Sequence, residues 1–171
     1  VEGARDVPHS AAPGLDPQED LVVVVGRIST EDGTPAGALE RGAAALADCL
    51  ATRRASPLLV VRERAIVAVV PAEDREQQVA RLMSTRTALR NETGISLYCG
   101  LSSPRAGFAQ VAVAYEQAAL AVSRASEERP VVSLAALPAL QHLLLGATGP
   151  TRAQLREKSQ AIEIGRASGR E

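Results

Sequence analysis

Apolar positions recur along the chain with three different spacings, and each spacing marks a different kind of element. Residues 21–25 are an unbroken Leu-Val-Val-Val-Val run, the pattern of a strand covered on both faces rather than one with a wet side. It predicts a central strand. Beyond the turn residues Glu31-Asp32-Gly33-Thr34-Pro35, Leu39, Ala43, Leu46 and Leu50 return at helical spacing, while Arg41, Asp48 and Arg53 fall elsewhere on the wheel. That is an amphipathic helix. Residues 58–61 and 65–70 are two further apolar runs separated only by Arg62-Glu63-Arg64, room enough for an antiparallel hairpin and nothing longer. Pro71 ends the second of them.

Asp74 with Gln77 three positions later resembles a capping box, and Val79, Leu82 and Leu89 continue it at helical spacing with Arg86 as an interruption. Ile95, Leu97, Cys99 and Leu101 then alternate with Ser96, Tyr98, Gly100 and Ser102, a period of two that predicts a fourth strand. Phe108, Val111, Tyr115, Ala118 and Val122 form the apolar seam of a third helix in an Ala-rich stretch. Pro130 introduces a short edge strand over 131–134, and residues 137–145 predict a final helix closed by Gly146. The order is β-α-β-β-α-β with α-β-α appended. Its first six elements are the split βαβ of an α+β, ferredoxin-like βαββαβ core, with helices packed on one face of an antiparallel sheet.

Around that core the pattern fades. Gly3, Pro8, Pro13, Gly14 and Pro17 punctuate residues 1–19 as a linker. The domain is expected over 20–148, and 149–162 are the start of a connector. Residues 163–171 lack periodicity and read as a non-native tail resembling a translated sequencing adapter. With no initiator Met, the chain is expected to begin inside a longer protein.

Composition narrows the functional classes. A chain of 171 residues fits one domain, and with only three aromatic rings its core must be aliphatic. A formal net charge of −1 leaves no surplus of cations to displace counterions from a nucleic-acid backbone, so this stretch alone is not expected to bind DNA tightly. Cys49 and Cys99 stand far apart without metal-ligand spacing and are expected as buried reduced thiols. No apolar run approaches the ~20 residues that span a bilayer. The chain is expected to be cytoplasmic, with no membrane contact.

Several strings resemble the central, GGDEF-like domain of PucR/CdaR-family bacterial transcriptional regulators. They are Ala12-Pro13-Gly14-Leu15-Asp16 before the first strand, Val69-Val70-Pro71 at the end of the hairpin and Gly100-Leu101-Ser102 closing the fourth strand. The most telling are Ala114-Tyr115-Glu116-Gln117-Ala118-Ala119-Leu120-Ala121 on the third helix and Pro130-Val131-Val132-Ser133-Leu134 after it. The resemblance implies the fold of diguanylate cyclases (GGDEF/nucleotidyl-cyclase-like). It also implies a role in transcription control, with a variable sensor region before this domain and a DNA-binding helix-turn-helix after it. DNA would then be a partner only through a C-terminal domain absent from this chain.

A working cyclase of that family holds Mg²⁺ with carboxylates on the first strand and at the hairpin, beside a glycine-rich turn. Here the hairpin is Arg62-Glu63-Arg64-Ala65, with no glycine, and the first strand continues Gly26-Arg27-Ile28 without an acid before Glu31. No catalytic residue and no metal ligand is assigned, no cofactor is implied, and cofactor-binding residues stay unassigned. His9 in the linker and His142 in the Leu-rich closing helix read as surface or capping groups, and Ser102-Ser103 as loop chemistry without a base. Arg53-Arg54 with Arg62 and Arg64 would suit an anion, but such charges are more often solvated ends of elements. Tyr115-Glu116 would suit a cleft, although Tyr115 is placed on the core seam. The small ridge Ala118, Ala119 and Ala121 fits either close approach of a second helix in a dimer or packing on its own sheet. Two classes remain. One is a non-catalytic signal-relay module that is homo-oligomeric through this domain, and the other is a small-effector or nucleotide-binding sensor. The first is preferred because no convergent polar groups are legible at the hairpin.

Overall fold

The computed structural model describes residues 15–16, 18–30, 37–62 and 64–134. Their order is β1 (Asp20–Ser29), α1 (Ala38–Leu50), β2 (Leu58–Arg62), β3 (Ala65–Pro71), α2 (Arg75–Thr93), β4 (Ser96–Leu101) and β5 (Arg105–Ala106). A single 3-10 turn at Phe108–Gln110, α3 (Val111–Ser123) and β6 (Val131–Ser133) complete it. The strands form one sheet in the order β2-β3-β1-β4-β6, with β5 also on β1. β1 is antiparallel to β3, from Leu21 opposite Pro71 to Arg27 opposite Ala65, and antiparallel to β4, from Val24 opposite Leu101 to Ser29 opposite Ser96. With β2 hairpinned onto β3, these elements are the α+β ferredoxin-like core that the sequence predicts. β6 extends it as an edge strand, parallel to β4.

Alternation along β1 explains the layers. Val22 and Val24 point into a core built with Leu46 and Leu50 of α1, Leu82 and Leu89 of α2, and Leu97, Cys99 and Leu101 of β4. Leu21, Val23 and Val25 point the other way, into a second core with Ala114, Ala118, Ala121 and Val122 of α3. The unbroken apolar run is therefore covered on both faces, as expected of a central strand. α1 and α2 share one face, as the ferredoxin-like core predicts, and the appended α3 lies on the opposite face. Leu21, Val23 and Val25 of β1 and Tyr98 of β4 form an apolar surface that two helices on one side would leave in water.

Local signals place the elements. Asp74 caps α2, its Oδ1 accepting the Gln77 N–H at 2.9 Å, and Gly94 ends that helix with φ at 70°. Arg86 does not interrupt the helix face but joins it, buried beside Gln78, Leu82 and Leu89. The seam of α3 is corrected as well. Its sheet-facing residues are Ala114, Gln117, Ala118, Ala121 and Val122, while Tyr115 is 38% exposed and Phe108, in the preceding turn, is 36% exposed. The reason lies in β4. A Cβ at Gly100 would stand 2.2 Å from the Ala118 carbonyl oxygen and 2.3 Å from the Val122 nitrogen, so the helix backbone rests directly on the strand and only small side chains fit between them. The predicted helix over 137–145, the linker proper, the connector and the tail lie outside the described residues.

Candidate functional site

The register brings the hairpin to the end of β1, since Arg27 on β1 is paired with Ala65 on β3, and Ala65 is also paired with Arg62 on β2. Arg62 and Arg64 are exposed at this hairpin. Glu31 and Glu63 lie outside the described residues. Among the described residues no group of three or more His, Cys, Asp or Glu gathers. The other arginine pair, Arg53 and Arg54, is exposed in the connection before β2. The two pairs flank β2, one before its start and the other at its end. They do not converge on one anion.

Beside Arg27 a different constellation forms, drawn from four elements. Tyr98 of β4 stands directly across from Arg27 and so on the same sheet face, with the Arg27 guanidinium 5.5 Å from its ring centre. Arg86 of α2 lies 5.8 Å from the same ring centre. In the tight turn between α3 and β6, closed by mutual backbone hydrogen bonds of Ser126 and Arg129, Glu127 receives three donors. The Tyr98 hydroxyl donates to its Oε1. Arg86 Nη2 donates to Oε2 at 2.5 Å and Arg90 Nη1 to the same oxygen at 2.7 Å.

Burial differs sharply across this group. Arg86 is 9% and Tyr98 8% exposed, whereas Arg27, Arg90 and Glu127 are open to solvent. The hydrogen bond to Glu127, followed by burial, pushes the Tyr98 phenol above its ordinary range. In return the phenol's hydrogen bond, with those of the guanidinium groups, holds Glu127 below the usual carboxylate range, against a smaller opposing effect of desolvation. Chemically the group is a fastening: one carboxylate ties the α3–β6 turn to α2 and β4. It also gathers three guanidinium groups, two on the carboxylate and that of Arg27 on the Tyr98 ring.

The remaining candidates have structural roles. Ser102 is buried and its Oγ accepts the Val23 N–H at 2.9 Å, while the Ser103 N–H donates to Gln117 Oε1 at 3.2 Å. The first ties the end of β4 to β1 and the second ties it to α3. Cys99 is buried and Cys49 half-buried, both free, and burial raises the Cys99 thiol far above its ordinary range. Tyr115 and Glu116 face outward from α3 rather than into core or cleft. Ala118 and Ala121 pack on the sheet, while Ala119 is half-buried. An open groove of about 560 Å³ runs between α1 and α2, lined by Asp48, Cys49, Gln77, Arg81, Ser84 and Thr85 among others. Because α1 begins near the hairpin end of β1 and runs back, this groove lies at the other end of the sheet. His9 and His142 lie outside the described residues. Sequence spacing did not reveal the Arg86-Tyr98-Glu127 group. Its only signal was a charged residue at a core position of α2.

Among the described residues, no helix is long and apolar enough to cross a membrane. No curated protein matches the chain. The family model described as a GGDEF-like domain matches residues 9–123.

Proposed function

The chain belongs to the GGDEF-like domain family, and from that membership we propose that it is a non-catalytic regulatory and dimerisation domain of a PucR/CdaR-type transcription regulator. The observation that carries this reading is Arg27 paired with Ala65 where β1 meets the hairpin. Metal-assisted nucleotidyl transfer requires hard anionic oxygens to hold Mg²⁺ beside the phosphates, and a guanidinium on the strand repels the ion such a site must bind. A domain relieved of chemistry can keep the fold as a rigid spacer that sets two DNA-binding ends at the separation of a two-fold operator. DNA contact belongs to a further domain, in keeping with the net charge of −1 here.

The guanidinium groups of Arg27, Arg86 and Arg90 gathered on Tyr98 and Glu127 favour a second reading, a sensor for a small anionic effector. A saturable rise in melting temperature on adding nucleotides or small metabolic acids would support it.

The first reading is tested by incubating the chain with GTP or ATP and Mg²⁺ or Mn²⁺ and assaying cyclic dinucleotide and released pyrophosphate. No product above a protein-free control is expected, and turnover would overturn the non-catalytic assignment. Sequencing the parent gene past the codon for residue 162 tests the regulator assignment. A frame running into a helix-turn-helix supports it, and a stop removes it.

A further inference from the structure

A helix that covers one face of a sheet should show a largely polar outer side, and α3 shows mostly apolar residues there. Of its thirteen residues, Val111–Ser123, only Glu116 is charged. Its solvent side displays Ala112, Val113 at 43% exposure, Tyr115 and half of Ala119, preceded by exposed Phe108. Phe108, Ala112, Tyr115 and Ala119 fall at i, i+4, i+7 and i+11, one continuous stripe. Large and small residues alternate along it, which lets a second helix approach to about 8–10 Å between axes.

Charge selects the occupant. Glu116 and Arg124 are both exposed, and neither forms an ion pair with another described residue. In an antiparallel pairing of two α3 helices centred beside Ala119, Glu116 of one copy lies level with position 122 of the other along the helix axis. Arg124 is then two residues, or about 3 Å, further along, well within the reach of an arginine. The two-fold axis makes this contact twice, and places Tyr115 against Ser123 and Ala119 against itself. We infer that the outward face of α3 is an isologous docking surface for a second copy of this chain, in which Glu116 and Arg124 pair across the two-fold axis. The inference deepens the proposed dimerisation role and rests on it. A single helix pair belongs with interfaces below about 1,200 Å², which are weak and concentration-dependent.

The test is the mass of the whole chain by analytical ultracentrifugation over a roughly hundredfold concentration range, with the variants Glu116→Arg, Arg124→Glu and the double charge swap. Both positions are exposed, so the fold is retained, and circular dichroism verifies it. The expected result is a wild-type mass that climbs toward twice the monomer, single variants that remain monomeric, and a double swap that dimerises again. A wild-type dimer indifferent to both reversals overturns the α3 surface and leaves the dimerisation role standing on another face. The monomer mass at every concentration, as would follow if another part of the chain covers α3, overturns both. The non-catalytic assignment is judged separately by the nucleotide assay.

Discussion

Glu127 accepts hydrogen bonds from a phenol and two guanidinium groups, and its charge decides whether the turn between α3 and β6 stays fastened. Its carboxyl is held below the usual 4.5 first by the Tyr98 hydrogen bond and then by Arg90 and Arg86. A lowered folded-state pKa means stabilisation present above the unfolded value and lost as pH falls through the folded one. Tyr98 has the opposite sign. Its pKa is raised from 10.0 by the same hydrogen bond and by burial, so its contribution is present below about pH 10 and lost as pH rises through the higher folded-state value. Glu127→Gln is therefore expected to lower the melting temperature most between these limits. The gap from wild type should close below pH 4.5 and again in strong alkali. It should be modest, because half-exposed pairs contribute little. Melting curves of both proteins across pH measure it, and a gap that ignores pH would show that shape rather than charge makes the contact.

At the scale of elements, the informative contact is α3 on β4. Gly100 has the Ala118 carbonyl oxygen and the Val122 nitrogen and Cα where its side chain would be, the last at 2.9 Å, and backbone cannot step aside as a flexible side chain can. Gly100→Ala is expected to destabilise the domain by about 3 kcal/mol, the upper end of overpacking costs. Urea unfolding measures this, and a loss below about 0.5 kcal/mol, ordinary for a surface change, would mean that the helix can lift from the strand. The same contact explains what the sequence disclosed and what it hid. The runs of β1 and β4, the hairpin and the capped start of α2 were legible because their polar and apolar positions contrast. α3 offers no such contrast. A seam drawn through its larger residues, Phe108 and Tyr115, was the natural expectation, yet close approach to Gly100 demands the small ones. The charged group escaped for another reason, since Arg86 and Tyr98 meet Glu127 across 41 and 29 positions of chain, and no local spacing encodes such a meeting. At the hairpin the arginines were legible residue by residue, because they depend on identity and not on packing.

For the whole molecule, the decisive fact is that one sheet carries both cores. Val22 and Val24 serve the α1/α2 side, Val23 and Val25 the α3 side, so neither helical layer can leave without exposing strands that the other needs. Adjacent residues of β4 report on the two sides, Tyr98 in the α3 core and Cys99 in the other. Tyr115 is exposed and Cys49 only half-buried, so Tyr115→Phe and Cys49→Ser leave one probe for each layer. Burial holds the Cys99 thiol protonated, so it should resist alkylation until its layer opens. Tyr98 fluorescence and Cys99 labelling, followed through the same denaturant series, are expected to change at one midpoint, as two-state unfolding requires. Labelling that precedes the fluorescence change would mean that the core around Cys99 opens while the Tyr98 side of the sheet stays closed. A relay built on this fold would then transmit through partial opening of one layer, whereas coincident transitions require it to transmit by moving as a rigid body.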